Sequence, residues 1–197
     1  MPKRQKPNEI FTPELVKVFK IFGLISIGLV LLLSFFNTKR ANNSGDDLTF
    51  RMTSSSRLYF LNVSAIKYDR ESRSDAGMLL FRYGKREISE TSPLLDLVII
   101  LNSQKDEAYL YLEPGNIDWP LEIRASQGGK EQTFHLQNTN NSEFLAYVRE
   151  LQPWITADAN FEIKKDSAWT PIWSKPQEME AVKTILEDYF RLINERE

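Results

Sequence analysis

Residues 21–36 read IFGLISIGLVLLLSFF, sixteen consecutive side chains without a charge. Extended back through Val18, Phe19 and Lys20, the run would rise about 28 Å as a helix, close to the thickness of bilayer hydrocarbon. A helix start precedes it: Thr12 suits the N-cap, Pro13 the first helical position, and Glu14 the positive end of the dipole. Lys17 and Lys20 lie three apart, where long stems can reach back to an interface. No small-residue cleavage triplet follows Phe36, which argues against a removed leader. No polar face interrupts the run, which argues against a core helix. The sequence therefore predicts a transmembrane helix over 13–36, with membrane lipid as its partner and Lys17, Lys20, Ile21 and Phe36 marking its ends.

Charge on either side sets the expected orientation. Residues 1–40 hold seven Lys/Arg against two Glu, a net +5, and residues 41–197 carry a net −7. Five of the basic residues precede or enter the helix and only Lys39 and Arg40 follow it directly. The positive-inside rule then puts residues 1–12 in the cytoplasm as a basic tail and the remainder outside it. No G-x-x-x-G spacing joins Gly23 and Gly28, so the helix carries no strong dimerisation signal.

Residues 37–47, NTKRANNSGDD, read as a polar linker to a soluble domain over 48–197. A net −7 disfavours nucleic acid, whose phosphates need a basic surface. The chain has no cysteine, which removes disulfides, thiolate nucleophiles and Cys-ligated metals together.

Extended runs dominate that domain. Strands are expected at 48–53, 57–68, 78–83, 94–101, 107–112, 121–126, 130–137, 161–164 and 168–173, with a charged loop at 69–75. LLDLVIIL at 94–101 is the most apolar and the candidate central strand. Pro114-Gly115 suits a type II turn, and Gly128-Gly129 a tight hairpin turn. A helix is expected at 141–152, capped by Asn140 with Glu143 and stopped by Pro153. A second is expected at about 175–195, with Ser174 and Gln177 as its capping box. Met179, Val182, Leu186, Tyr189 and Ile193 form its apolar stripe. The fold expected is α+β, an antiparallel sheet or sandwich with two packed helices behind one membrane helix.

No residue pattern reaches a catalytic or metal signature, and no cofactor is expected. His135 is the only histidine and cannot build a multi-histidine zinc site. Asp46-Asp47 lies in an oxygen-rich stretch without the calcium-loop order. Glu113 and Asp118 could form a carboxylate pair only if the fold brought them together. The N-x-[ST] triplets at Asn42, Asn62 and Asn140 are glycan acceptors only in a eukaryotic secretory setting. The sharpest hint is aromatic: Trp169 and Trp173, four apart on one edge strand marked by Pro171, would share a face, with Trp119 as a further member. The expected function is a membrane-anchored, non-catalytic binding or scaffolding module of the cell envelope, its partner another envelope protein. The alternatives are a carbohydrate or envelope-polymer binder and a carboxylate hydrolase.

Overall fold

A computed structural model describes residues 13–35, 49–102 and 104–194. The basic tail, the linker, Phe36, Thr12, Leu48 and Glu195, the last residue of the expected C-terminal helix, lie outside the described residues. The chain divides into an N-terminal unit and a compact domain.

The N-terminal unit is α1, Pro13–Phe35. Its span Pro13–Leu32 has a mean hydropathy of 2.3 and none of it is buried. Apolar side chains from Leu15 to Leu32 are exposed on every side of it.

In the domain, eight strands form two antiparallel sheets of four. The first holds β1 (Tyr68–Arg73), β2 (Met78–Tyr83), β3 (Leu94–Asn102) and β4 (Glu107–Gly115), in that order. The second combines β5 (Leu121–Gln127), β6 (Lys130–Leu136), β7 (Asn160–Lys165) and β8 (Ala168–Ile172) in the order β6-β5-β7-β8. Alternation decides the faces. Leu95, Leu97, Ile99 and Leu101 of β3 and Ala108, Leu110 and Leu112 of β4 enter the core, as do Leu121, Ile123 and Ala125 of β5. Helices α3 (Asn141–Thr156) and α4 (Pro176–Leu192) close that core. Both pack against β4, α4 also against β3 and α3 also against β5.

The β5–β6 hairpin turns on Gly128 and Gly129 with φ of 57° and 79°, the positive pair that a type I′ turn requires. Asn140 caps α3 as expected, its Oδ1 accepting from the Glu143 N–H at 3.0 Å.

The structure departs from six expectations. Residues 57–68 are not a strand. They run as α2 (Ser54–Tyr59), a π turn (Phe60–Ser64) and a 3₁₀ turn (Ala65–Lys67). Ser54, Ser55 and Ser56, between the two expected strands, are the first turn of α2. Thr53 Oγ1 accepts from the Ser56 N–H at 3.1 Å, while the Thr53 N–H donates back to Ser56 Oγ at 3.1 Å. The charged segment after it is not a loop but edge strand β1, whose solvent-side charges are tied across the sheet. Arg82 pairs with Glu71 at 2.7 Å and Arg86 with Asp69 at 2.6 Å. Of the strand expected at 48–53, the described residues 49–53 form an isolated bridge, Arg51 to Glu107, on the outer edge of β4. Pro114-Gly115 forms no turn; β4 continues through it, opposite Leu95 and Leu94, and the chain reverses at Asn116 with φ of 58°. An edge strand tolerates the missing proline donor. Finally, α3 carries Pro153 inside it and ends at Thr156, and α4 is capped by Lys175 with Glu178, one residue beyond the expected box.

Candidate functional site

The pairing of β2 with β3 ends at Arg82–Val98, whereas β3 pairs with β4 all the way to Leu94. Residues Leu94–Leu97 therefore have a strand neighbour on one side only. The chain between β2 and β3, residues 84–93, swings around this gap and is pinned from beneath. Asn116 Nδ2 donates to the carbonyls of Ser89 at 2.7 Å and Ser92 at 2.9 Å. What remains is a cleft of about 190 Å³ between this loop, the end of β8 and the start of α4.

Its floor is apolar, built from Leu95, Ile172, Trp173, Val182 and Ile185, all buried. Its rim is charged. Lys175 bridges Glu87 at 2.6 Å and Glu178 at 3.3 Å, so the ammonium draws the Glu87 carboxyl below the usual range and is itself raised.

Asp96 lines the cleft where β3 lacks its β2 neighbour, and alternation turns its side chain away from Leu95 and Leu97, toward the face that carries Arg82 and Glu113. Among the described residues its carboxylate accepts no hydrogen bond; the nearest cation is Arg86, whose Nε lies 3.9 Å away. Arg86 is committed elsewhere, to Asp69 at 2.6 Å and the Tyr83 carbonyl at 3.0 Å. Burial pushes the Asp96 carboxyl up to about 6; Arg86 and Arg82 oppose the rise and Glu113 adds to it. Counting Asp96, Glu87 and Glu178 against Arg86 and Lys175, the cleft is acidic by one charge. It can hold a small apolar group and meet a cationic one at its wall.

The three tryptophans named from sequence do not form one platform. Trp173 leaves β8 with φ of 50° and turns inward at 7% exposure. Its indole N–H donates to the Leu95 carbonyl at 2.7 Å, and its ring meets Phe161 edge-on at 5.0 Å. Trp169 stays half-buried on the outer face of the second sheet, beneath the Arg124 guanidinium at 4.3 Å from the ring centre. Arg124 is in turn held by Glu162 at 2.6 Å. Trp119 packs edge-on against Phe144 of α3 at 5.7 Å.

Glu113 and Asp118 also part company. Glu113 takes a two-point bond from Arg82, at 2.6 and 2.7 Å, which raises the guanidinium further. Asp118 is exposed on the following turn. His135 is exposed on β6, opposite Glu122. No group of three or more metal-ligating side chains occurs among the described residues.

Sequence reasoning missed Asp96 and the rim. The signal was there in part: Asp96 is the one charge inside the most apolar strand. Nothing in the sequence placed residues 84–93 against α4.

Comparison with protein-family models, with curated proteins and with solved structures gave no match for this chain.

Proposed function

We propose that this chain is a membrane-tethered binding module, with α1 in the bilayer and the cleft beside Asp96 as its binding site. The observation that carries the reading is α1, a span of bilayer length with no side chain of its own buried. A tether confines a domain near the membrane and raises its effective concentration for partners there, which gives a non-catalytic module its purpose. The basic residues before the helix favour a cytoplasmic N-terminus and a domain outside the cytoplasm, facing another envelope protein.

Site-specific photo-crosslinking tests the binding site. A benzophenone side chain at Ser89 or Ser174, on the cleft rim, is expected to yield an adduct in intact cells, whereas one at Lys130 on the distant hairpin yields none. Equal labelling at all three positions, or none at the rim, would remove the cleft from the account. Protease added to intact cells is expected to remove the domain and spare the N-terminal tail. Digestion of the tail instead would reverse the orientation.

A second reading, carboxylate chemistry, is favoured by one observation: Asp96, Glu87 and Glu178 line the same cleft. Hydrolysis of a glycoside or ester by the intact chain, abolished by Asp96→Asn, would establish it. The carbohydrate-binding reading loses Trp173, which is buried, and rests on Trp169 and Trp119 alone.

A further inference from the structure

The first helical segment of the domain buries one side and leaves the other bare. Phe60 and Ser64 face inward, with Phe60 packed edge-on against Phe81 at 5.1 Å and tilted against Tyr68 at 5.6 Å. On the opposite side Leu58 is 55% exposed, Val63 51% and Ile66 88%, with Tyr59 beside them. Tyr59, Val63 and Ile66 follow the four-then-three spacing that aligns side chains along one helical stripe.

This face is not loose. Ser56 Oγ donates to the Leu192 carbonyl at 2.8 Å, Arg57 pairs with Asp106 of the β3–β4 turn, and Ser64 Oγ donates to the buried Asp188 at 2.7 Å. A well-anchored helix thus presents four large apolar side chains to water. Isolated exposed apolar residues need no explanation, but a contiguous group on one rigid element marks a contact surface.

Charge and chain length say what covers it. Lys67 ends the segment and Arg70 lies on the sheet face that the helix packs against; both are exposed and neither has an ion-pair partner among the described residues. Arg191 lies over the Tyr59 ring at 5.2 Å, its charge paired with Glu187 at 2.7 Å. In a domain whose overall charge is negative, Lys67 and Arg70 leave this edge basic. Eighteen residues separate Phe35 at the end of α1 from Ser54 at the start of α2, so even fully extended they reach no more than about 65 Å. An apolar stripe flanked by Lys and Arg has the composition of helices that lie in the headgroup region of an anionic bilayer.

We infer that the Leu58–Tyr59–Val63–Ile66 face docks onto the surface of an anionic membrane, giving the domain a second lipid contact beside its anchor. The inference rests on the proposal that α1 is membrane-embedded. The docked apolar side chains enter the headgroup boundary while Lys67 and Arg70 meet lipid phosphates. The domain is then held to the membrane in one orientation.

The absence of cysteine makes the test clean. Full-length chains carrying a single cysteine at Leu58 (L58C), Ile66 (I66C) or, as control, Lys130 (K130C) are labelled with an environment-sensitive fluorophore. They are reconstituted into phosphatidylcholine vesicles with or without about one-quarter phosphatidylglycerol. Flotation reports the anchor and emission reports the face. The expected result is a blue shift at positions 58 and 66 in anionic vesicles, none at 130, and a docked-to-undocked ratio about fivefold lower for each of Lys67→Glu and Arg70→Glu. Protein that floats with the vesicles but shows no shift at 58 and 66 overturns the docking while the anchor stands. A shift that fades as the protein is diluted in lipid assigns the face to a second copy and also overturns it. Protein that fails to float removes the anchor and the docking together.

Discussion

The indole of Trp173, at the end of the second sheet, donates its N–H to the carbonyl of Leu95 in the first, at 2.7 Å. The bond falls where β3 has lost its neighbour β2, so a side chain supplies a donor to an edge that no strand covers. It ties the two sheets together at the floor of the cleft.

Trp173→Phe keeps an aromatic ring to pack near Phe161 and removes the donor with the pyrrole half of the indole. The expected cost is about 1–2 kcal/mol, since the Leu95 carbonyl is left with the water that the cleft admits. Trp173→Ala adds the lost packing, for a total of about 3–5 kcal/mol. Urea melts of the two variants separate the terms. A neutral Trp173→Ala would mean that this residue is not part of the core.

Asp188 is the counterpart on the far side of α4. Buried at 6% exposure, it accepts from Ser64 Oγ at 2.7 Å and from the Tyr68 hydroxyl at 2.9 Å, and burial together with this carboxylate raises the Tyr68 phenol. Removing the acceptor strands two buried hydroxyls. Asp188→Ala is expected to cost about 3–4 kcal/mol, Tyr68→Phe about 1 kcal/mol, and the Ser64→Ala/Tyr68→Phe pair to be non-additive. Strict additivity in a double-mutant cycle would show that the three groups act separately.

Asp96 gives a pH dependence with a definite sign. Its carboxyl titrates near 6 in the folded chain against an ordinary 3.8, so its stabilising contribution is complete below about pH 4 and lost as pH rises through 6. Arg86, Arg82 and Glu113 are the charged groups that face it. Asp96→Asn should therefore stabilise the domain at pH 7.5, by of the order of 2 kcal/mol, and leave it unchanged near pH 4. Thermal melts at the two pH values read the difference; an equal effect at both would contradict the burial argument. A site that keeps an ionised carboxylate at a cost in stability is where function is to be sought.

Trp169 marks the limit of the aromatic reading. Its ring lies beneath Arg124, with Lys164 at 5.7 Å. Trp169→Ala is expected to destabilise by only about 0.5–1 kcal/mol. Sedimentation with cell-wall polymer should be the same before and after the substitution; a loss of polymer binding would restore Trp169 as a platform.

Much of the architecture was legible because period and punctuation agreed. LLDLVIIL, the Gly128-Gly129 hairpin and the Asn140 cap each combine a hydrophobic pattern with turn or cap chemistry. Residues 57–68 misled because both of their strand faces are apolar. That pattern fits a half-exposed helix equally well, and the Thr53–Ser56 cap was the signal that separated them. Tyr68–Arg73 was hidden for the opposite reason, since an edge strand can be almost wholly charged when its charges pair across the sheet. The cleft was not legible, because it depends on β2 ending before β3 does and on a loop meeting α4. Trp173 turned inward through one residue of positive φ, which strand periodicity cannot anticipate.

The whole account depends on α1 being held by lipid. The direct measurement is extraction of the full-length chain from isolated membranes, first with alkaline carbonate and then with detergent. The prediction is complete retention in the carbonate pellet and release by detergent. Leu24→Arg together with Ile25→Arg should abolish retention, because each arginine at mid-span costs about 2.5–3.5 kcal/mol of insertion. Recovery of the unsubstituted chain in the carbonate supernatant would contradict the account.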